Sequence, residues 1–312
     1  MKITRLSYVF TLGFLGVTTF SVLAEKAVVI EGPAEVLSKL QFTCEHGRSR
    51  LSPIGIKKVG DKSYLVPAET QYKEENFVTN LYDQCSKVEP KSLADVDVAA
   101  VPIIEVDSDG EVITGYIFAD NYFELFINGK LIGVDPVPFT PFNSNIVRFK
   151  VKKPYDIAIK VVDWEENSGL GSENNRGKQY HPGDGGLIAS FSDGTLTSSD
   201  WKAQTFYTAP IYDLNCVEET GQQRLTSTCD TKGAYQYQTT YSLHWDIPSN
   251  WILDNSYLDW PKSLEYSEDE IGVDNKPAYM NFQEQFTGAG AKFIWSSNLI
   301  LDNVILFRYT VK

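Results

Sequence analysis

The chain has 312 residues, with 41 acidic against 28 basic side chains and a formal net charge of −13 at neutral pH. Such a balance lacks the Lys/Arg clusters that release counterions from nucleic acid, which argues against DNA or RNA as a partner, and anionic membrane surfaces repel it. Divalent cations and neutral ligands such as sugars remain compatible with it.

The first residues form a basic stretch, Met1–Arg5, followed by an apolar run, Leu6–Val22, and small residues at the −3 and −1 positions in Val22-Leu23-Ala24. This is the pattern of a secretory signal peptide cut after Ala24. Cleavage removes Lys2 and Arg5, leaves 288 residues and takes the charge to −15. The mature protein is expected to be secreted or periplasmic, with no membrane attachment. Its four cysteines fit an oxidising compartment, and no CxxC pair suggests a redox or zinc-ribbon motif. Three pairings are possible; proximity favours Cys44–Cys85 and Cys216–Cys229, the second closing a short loop cheaply.

Residues 25–97 read as a small N-terminal α+β region. In "PAEVLSKLQFTCE", Val36, Leu37, Leu40 and Phe42 give a rough helical stripe; "VGDKSYLVPA" reads as strand and turn, and "TQYKEENFVTNLYDQCSK" as a polar helix. From about residue 98 to 312 strand follows strand, rich in β-branched and aromatic residues and punctuated by Asn-Gly, Asp-Gly and Pro. In "DNYFELFINGKLIG", Phe123, Leu125 and Ile127 alternate onto one face, and Asn128-Gly129 is a strong hairpin signal. Strands at this spacing with little helix between them predict an antiparallel β-sandwich.

Three segments resemble galactose-binding-like β-sandwich modules, such as the accessory modules of rhamnosidase- and β-galactosidase-type enzymes. They are "ADNYFELFINGKLIG", "GGLIASFSDGTLTSSDWKA" and "FIWSSNLILDNVILFRYTV". In those modules the last segment usually comes early, so the strand order here is permuted or duplicated. The resemblance implies a jelly roll that binds carbohydrate or cell-surface ligands at its loop ends, often with a structural calcium. It also implies that the Trp of "DNSYLDWP", Trp260, packs under the sheet. Fold alone does not fix function.

Calcium takes hard oxygens, and "EVDSDGE" offers Asp107, Asp109 and Glu111 around a Gly turn. The twelfth position from Asp107 is Phe118, so this is no EF-hand. Three scattered histidines give no transition-metal pattern. The stretch "DWEENSGLGSENNRGKQYHPGDGG" (163–186) is the longest candidate ligand loop. In it Trp164 and Tyr180 are placed to stack on a pyranose, and Glu165, Asn174, Asn175, Arg176, His181 and Asp184 to exchange hydrogen bonds with its hydroxyls. Asp120 and Asn121, at the mouth of the hairpin, extend this candidate set. A second aromatic cluster, 243–261, holds His244, Trp245, Trp251, Tyr257 and Trp260.

No Ser/His/Asp, HExxH, GxSxG or Walker pattern occurs. Loop carboxylates such as Glu165 and Asp184 leave glycoside hydrolysis as a lesser reading. The sequence therefore points first to non-catalytic binding of a carbohydrate or surface glycan. The alternative is a structural or adhesive exoprotein that contacts a protein partner through its N-terminal region.

Overall fold

The computed structural model describes residues 26–39, 44, 46, 53–71, 74–137, 142–175, 178–179, 181–231 and 240–312. The strands, in chain order, begin with β1 (Val28–Glu31), β2 (Glu35–Lys39), β3 (Pro53–Val59), β4 (Lys62–Val66), β5 (Thr79–Tyr82) and β6 (Ile103–Glu105). The middle of the chain forms β7 (Glu111–Asp120), β8 (Tyr122–Ile127), β9 (Lys130–Val134), β10 (Ser144–Val151), β11 (Tyr155–Val162), β12 (Asn174–Asn175), β13 (Lys178–Gln179) and β14 (Gly186–Phe191). Then come β15 (Lys202–Ile211), β16 (Glu218–Thr220), β17 (Gln223–Leu225), β18 (Tyr241–His244), β19 (Leu264–Tyr266), β20 (Phe293–Trp295) and β21 (Asp302–Val311). The α-helices among the described residues are single turns, Glu268–Ile271 and Pro277–Met280.

Two large sheets account for most of this. The first runs β1-β18-β15-β21-β11-β8-β9, the second β19-β20-β14-β7-β10-β5, with β6 joined to β10. Every neighbour in them is antiparallel except β6, which is parallel to β10. Alternation on β8, β11 and β21 sends Phe123, Leu125, Ile127, Ile157, Ile159, Val161, Ile305 and Phe307 into a core shared with Ile113, Ile117, Phe149 and Leu187 of the second sheet. The molecule is thus mainly β and antiparallel, an arrangement compatible with a β-sandwich. The hairpin turn between β8 and β9 is where the sequence places it. Asn128 (φ 48°) and Gly129 (φ 79°) both adopt the left-handed conformation that the twist-matched two-residue turn requires.

The N-terminal region departs from expectation. Residues Glu35–Lys39 form strand β2, not a helix, because they pair antiparallel with β3. Leu40 and Phe42 lie outside the described residues. The segment 70–87 likewise holds one 3₁₀ turn, Glu74–Asn76, and strand β5. Nor does the region stand apart, since β1 edges the first sheet through β18 and β5 edges the second through β10. Cys44–Cys85 and Cys216–Cys229 are both bonded, which fits an oxidising, extracellular compartment. No helix among the described residues is long and apolar enough to cross a membrane. The signal-peptide segment lies outside the described residues.

The first sheet is buried on both faces. Its outward side chains, Tyr122, Phe126, Val162, Phe206, Val304 and Leu306, form a second apolar cluster with Val66 and Ala68 after β4 and with Trp245, Trp251, Tyr257 and Trp260. Trp260 packs edge-on against Phe206 at 6.0 Å, under the sheet as expected. The small sheet β2-β3-β4 and the segment 245–260 therefore lie over one face of the large sheet, and a groove runs between them.

Candidate functional site

The groove consists of two adjoining cavities. One, of about 320 Å³, has Tyr207, His244, Phe206 and Val304 as its floor and Tyr64, Glu69, Trp245 and Asp246 around it. The other, of about 620 Å³, is floored by Glu124, Phe126 and Lys160 and walled by Gln71, Pro248, Ser249 and Trp251. Glu69 and Ile247 belong to both.

The floor follows from strand alternation. On β8 and β11, Glu124 and Lys160 point away from the main core and sit opposite one another in register. Their charges meet at 3.4 Å. Glu124 also accepts hydrogen bonds from the Gln71 backbone N–H (2.9 Å) and the Tyr122 hydroxyl (3.3 Å), while the Lys160 ammonium donates to the Glu69 carbonyl. These contacts hold the segment after β4 across the sheet and so create one wall.

His244 lies between two rings. Tyr207 stacks on it at 4.7 Å and 13°, and Tyr64 covers the other side at 4.9 Å and 30°. Burial, assisted by the nearby Lys57 ammonium, pushes its pKa down to about 3, so the imidazole is neutral at physiological pH. Its Nε2 shares a hydrogen bond with Ser242 Oγ (3.0 Å), which also accepts from Lys57 Nζ (2.7 Å). Burial brings Lys57 down to about 8, against the pull of Glu165. His244 is here a flat, uncharged wall, set between tyrosines and fixed from behind.

Two of the sequence-predicted residues reach this groove indirectly. Glu165 is buried and accepts from the Tyr207 hydroxyl (2.7 Å) and the Gly169 N–H, bracing the floor from below. Burial raises its pKa to about 7 against these hydrogen bonds. Trp164 is only 4% exposed and packs edge-on against Tyr122 at 6.2 Å, so its indole presents no face to a sugar. Asn121 Oδ1 accepts the Trp164 backbone N–H at 2.7 Å and so fixes the chain at this position. The hairpin mouth and the long loop, distant in sequence, thus meet: Asn121 bonds to Val162 and Trp164, and Asp120 sits in register with Gly186.

Beside them is an acidic group. Gly183 lies against the carboxylates of Asp163 and Glu173. Burial and the surrounding acids Asp184, Glu173, Glu165 and Glu166 hold Asp163 well above the usual carboxylate range. Asp184 rises to about 6 through burial and Glu173, against His181 and Lys276. His181 itself is half-buried, with Nδ1 near the Pro182 carbonyl at 2.7 Å. The backbones of Asn174 and Asn175 pair with Lys178 and Gln179. Arg176 and Tyr180 lie outside the described residues.

Asp107, Asp109 and Glu111 flank an exposed turn at the start of β7. Lysines occupy that turn: Lys152 pairs with Asp109, Lys150 donates to the Ser108 carbonyl, and Asp107 accepts the Lys152 backbone N–H at 2.9 Å. Ammonium groups at these oxygens compete with a divalent cation, so the turn is a poor fit for calcium. No group of three or more His, Cys, Asp or Glu side chains with metal-holding geometry occurs among the described residues.

Compared with protein-family models, curated proteins and solved structures, the chain matches none. The sequence signalled the groove through the cluster at 243–261, which supplies His244, Trp245 and Trp251. The strand-and-turn reading of "VGDKSYLVPA" corresponds to β4, which carries Tyr64, whereas residues 69–71 had no sequence signal, because they follow the strand and act only by lying across the sheet.

Proposed function

We propose that this protein is an exported, non-catalytic binding protein that takes a neutral carbohydrate or surface glycan in the groove over the first sheet. The observation that carries the reading is the make-up of that groove. The half-buried Tyr64 ring gives it an aromatic plane beside the nearly buried Tyr207, Trp245 and Trp251, and exposed Glu69 and Ser249 line its edge together with Asp246, which pairs with Lys62 at 2.6 Å. Sugars need that combination of apolar planes and a few fixed hydrogen-bonding groups. The carboxylates at the edge and the net charge of −13 disfavour uronic acids and sulfated glycans. The galactose-binding-like jelly roll remains part of the proposal, supported by the N-G-K hairpin and the antiparallel two-sheet core.

The hydrolase reading gains less support. Glu165 is buried, with its carboxylate engaged by the Tyr207 hydroxyl and the Gly169 N–H. A glycan array followed by calorimetry tests the proposal. Wild-type protein should retain at least one neutral glycan, and Tyr64→Ala and Glu69→Ala should each weaken binding about tenfold, the loss of one stacking plane or one charged hydrogen bond. A folded sample that retains no glycan would refute the reading and favour an adhesive exoprotein.

A further inference from the structure

Charge is unevenly matched around the groove. Its neighbouring cations are already engaged. Lys160, in the floor, faces Glu124 at 3.4 Å and donates to the Glu69 carbonyl. Lys62, at the rim, pairs with Asp246 at 2.6 Å. Lys57 and Arg224 line neither cavity. Lys57 donates to Ser242 Oγ at 2.7 Å and is drawn to Glu165. Arg224 lies 4.4 Å from the Phe206 ring and 4.9 Å from that of Trp245, and donates to the Thr205 carbonyl at 2.8 Å. His244 is neutral at physiological pH. Among the described residues lining the groove, the charged group left without a hydrogen bond or ion pair is the Glu69 carboxylate. We propose that the groove selects glycans carrying a protonated amino group, with Glu69 as the counter-ion, which rests on glycan binding in this groove and narrows it.

Glu69 stands where such a charge acts on a ligand. It is exposed, and it belongs to both cavities, so it marks their junction. Its backbone is anchored on either side of the side chain's root. The Lys160 ammonium holds its carbonyl, and two residues on Glu124 accepts the Gln71 N–H at 2.9 Å. The carboxylate is therefore presented from a fixed segment, with Asp246 and the half-buried Tyr64 ring lining the same smaller cavity.

A ligand lying across the junction strips water from this carboxylate. A sugar hydroxyl replaces part of that hydration, whereas an ammonium replaces it and also cancels the charge. The Asp246 and Glu124 carboxylates and the chain's net charge of −13 act in the same direction. The aromatic lining does not oppose a cation, since ring faces attract one. Acetylation makes the amine neutral and removes the advantage. A carboxylated or sulfated sugar meets the opposite situation, because Lys160 and Lys62 would have to leave Glu124 and Asp246 to reach it.

The test uses the mature chain and matched tetrasaccharides on β-1,4-linked gluco and galacto backbones, bearing at C2 a hydroxyl, an acetamido group or a free amine. They are titrated by calorimetry at about pH 6, where such an amine is protonated. On at least one backbone the amine-bearing chain should bind about tenfold more tightly than its two counterparts, and added salt should narrow the gap. Glu69→Gln keeps an acceptor for a hydroxyl and removes the charge. It should abolish the preference and leave the hydroxyl chain within about twofold of wild type. Glu284→Gln removes the same charge from an exposed position beside the second sheet, and should leave the preference intact. That pair separates a local counter-ion from attraction by an acidic protein at large. Amine-bearing chains that bind no better than their counterparts would overturn the inference and leave glycan binding standing. So would a preference that survives Glu69→Gln. Heat from none of the tetrasaccharides overturns it too, whereas glycan binding itself is refuted only if the array also retains nothing.

Discussion

Asp302 offers a quantitative check on the energetics of the fold. It is fully buried at the start of β21 and accepts hydrogen bonds from Thr205 Oγ1 (3.0 Å), Thr226 Oγ1 (2.8 Å to Oδ2) and Ser296 Oγ. It thereby ties β15, β20 and the segment after β17 together. Burial nevertheless outweighs these bonds and raises its pKa from 3.8 to about 6. The folded state thus holds a proton that the unfolded chain has already lost between about pH 4 and 6. The stabilisation is complete below the unfolded pKa and disappears as pH rises through the folded one. Two units at about 1.4 kcal/mol each give about 3 kcal/mol of unfolding free energy lost over that window. Urea unfolding from pH 4 to 7, for wild type and Asp302→Asn, isolates the group, because the variant cannot titrate there. The gap between the two should shift by about 3 kcal/mol in favour of the variant as pH rises. A gap constant across the window would refute the argument.

Other expectations concern the supports of the groove. Arg308 is buried, lies over the Tyr257 ring at 4.2 Å and donates to the carbonyls of Trp251 and Asp254. Arg308→Ala should cost about 3–5 kcal/mol in chemical denaturation and speed amide exchange at 251–254, since charged donors to two carbonyls disappear together. Gly171 has φ +60°, and a Cβ there would collide with the Ala209 carbonyl. Gly171→Ala should therefore lower stability by at least about 2 kcal/mol, measured by thermal unfolding. Removing the Cys216–Cys229 bridge, whose residues are 13 apart, by a paired Cys→Ser change should cost about 3 kcal/mol in the same assay.

How far the sequence could be read depended on whether the decisive contact was local. The β8–β9 hairpin was legible because period-2 alternation and Asn128-Gly129 act within a dozen residues. Both disulfide pairings followed from proximity. Strand β2 was misread as a helix because its partner β3 lies beyond residues 40–52, and cross-strand pairing overrides a weak local stripe. Trp164 looked like a loop aromatic, yet its backbone N–H is fixed by Asn121, 43 positions earlier, and its ring is buried. Glu124 and Lys160 alternate as solvent-facing positions should, and only the chain folded over them buries both.

That last point bears on where selectivity resides. Every strong polar group on the groove floor is already committed: Glu124 to Lys160, Gln71 and Tyr122, His244 to Ser242, and the Tyr207 hydroxyl to Glu165. A ligand would have to break those contacts to use them, at the desolvation cost of each buried partner left behind. The floor rings, Phe126, Phe206, Tyr207 and His244, are 6% exposed or less, so in the proposed function they shape the groove without distinguishing one sugar from another. In the proposed function discrimination falls to the exposed edge, where Glu69 and Ser249 face solvent and Asp246 is held by Lys62 at 2.6 Å. On the proposed glycan-binding reading, substitutions there should change which glycan is held while leaving unfolding unaltered, and substitutions on the floor should do the reverse.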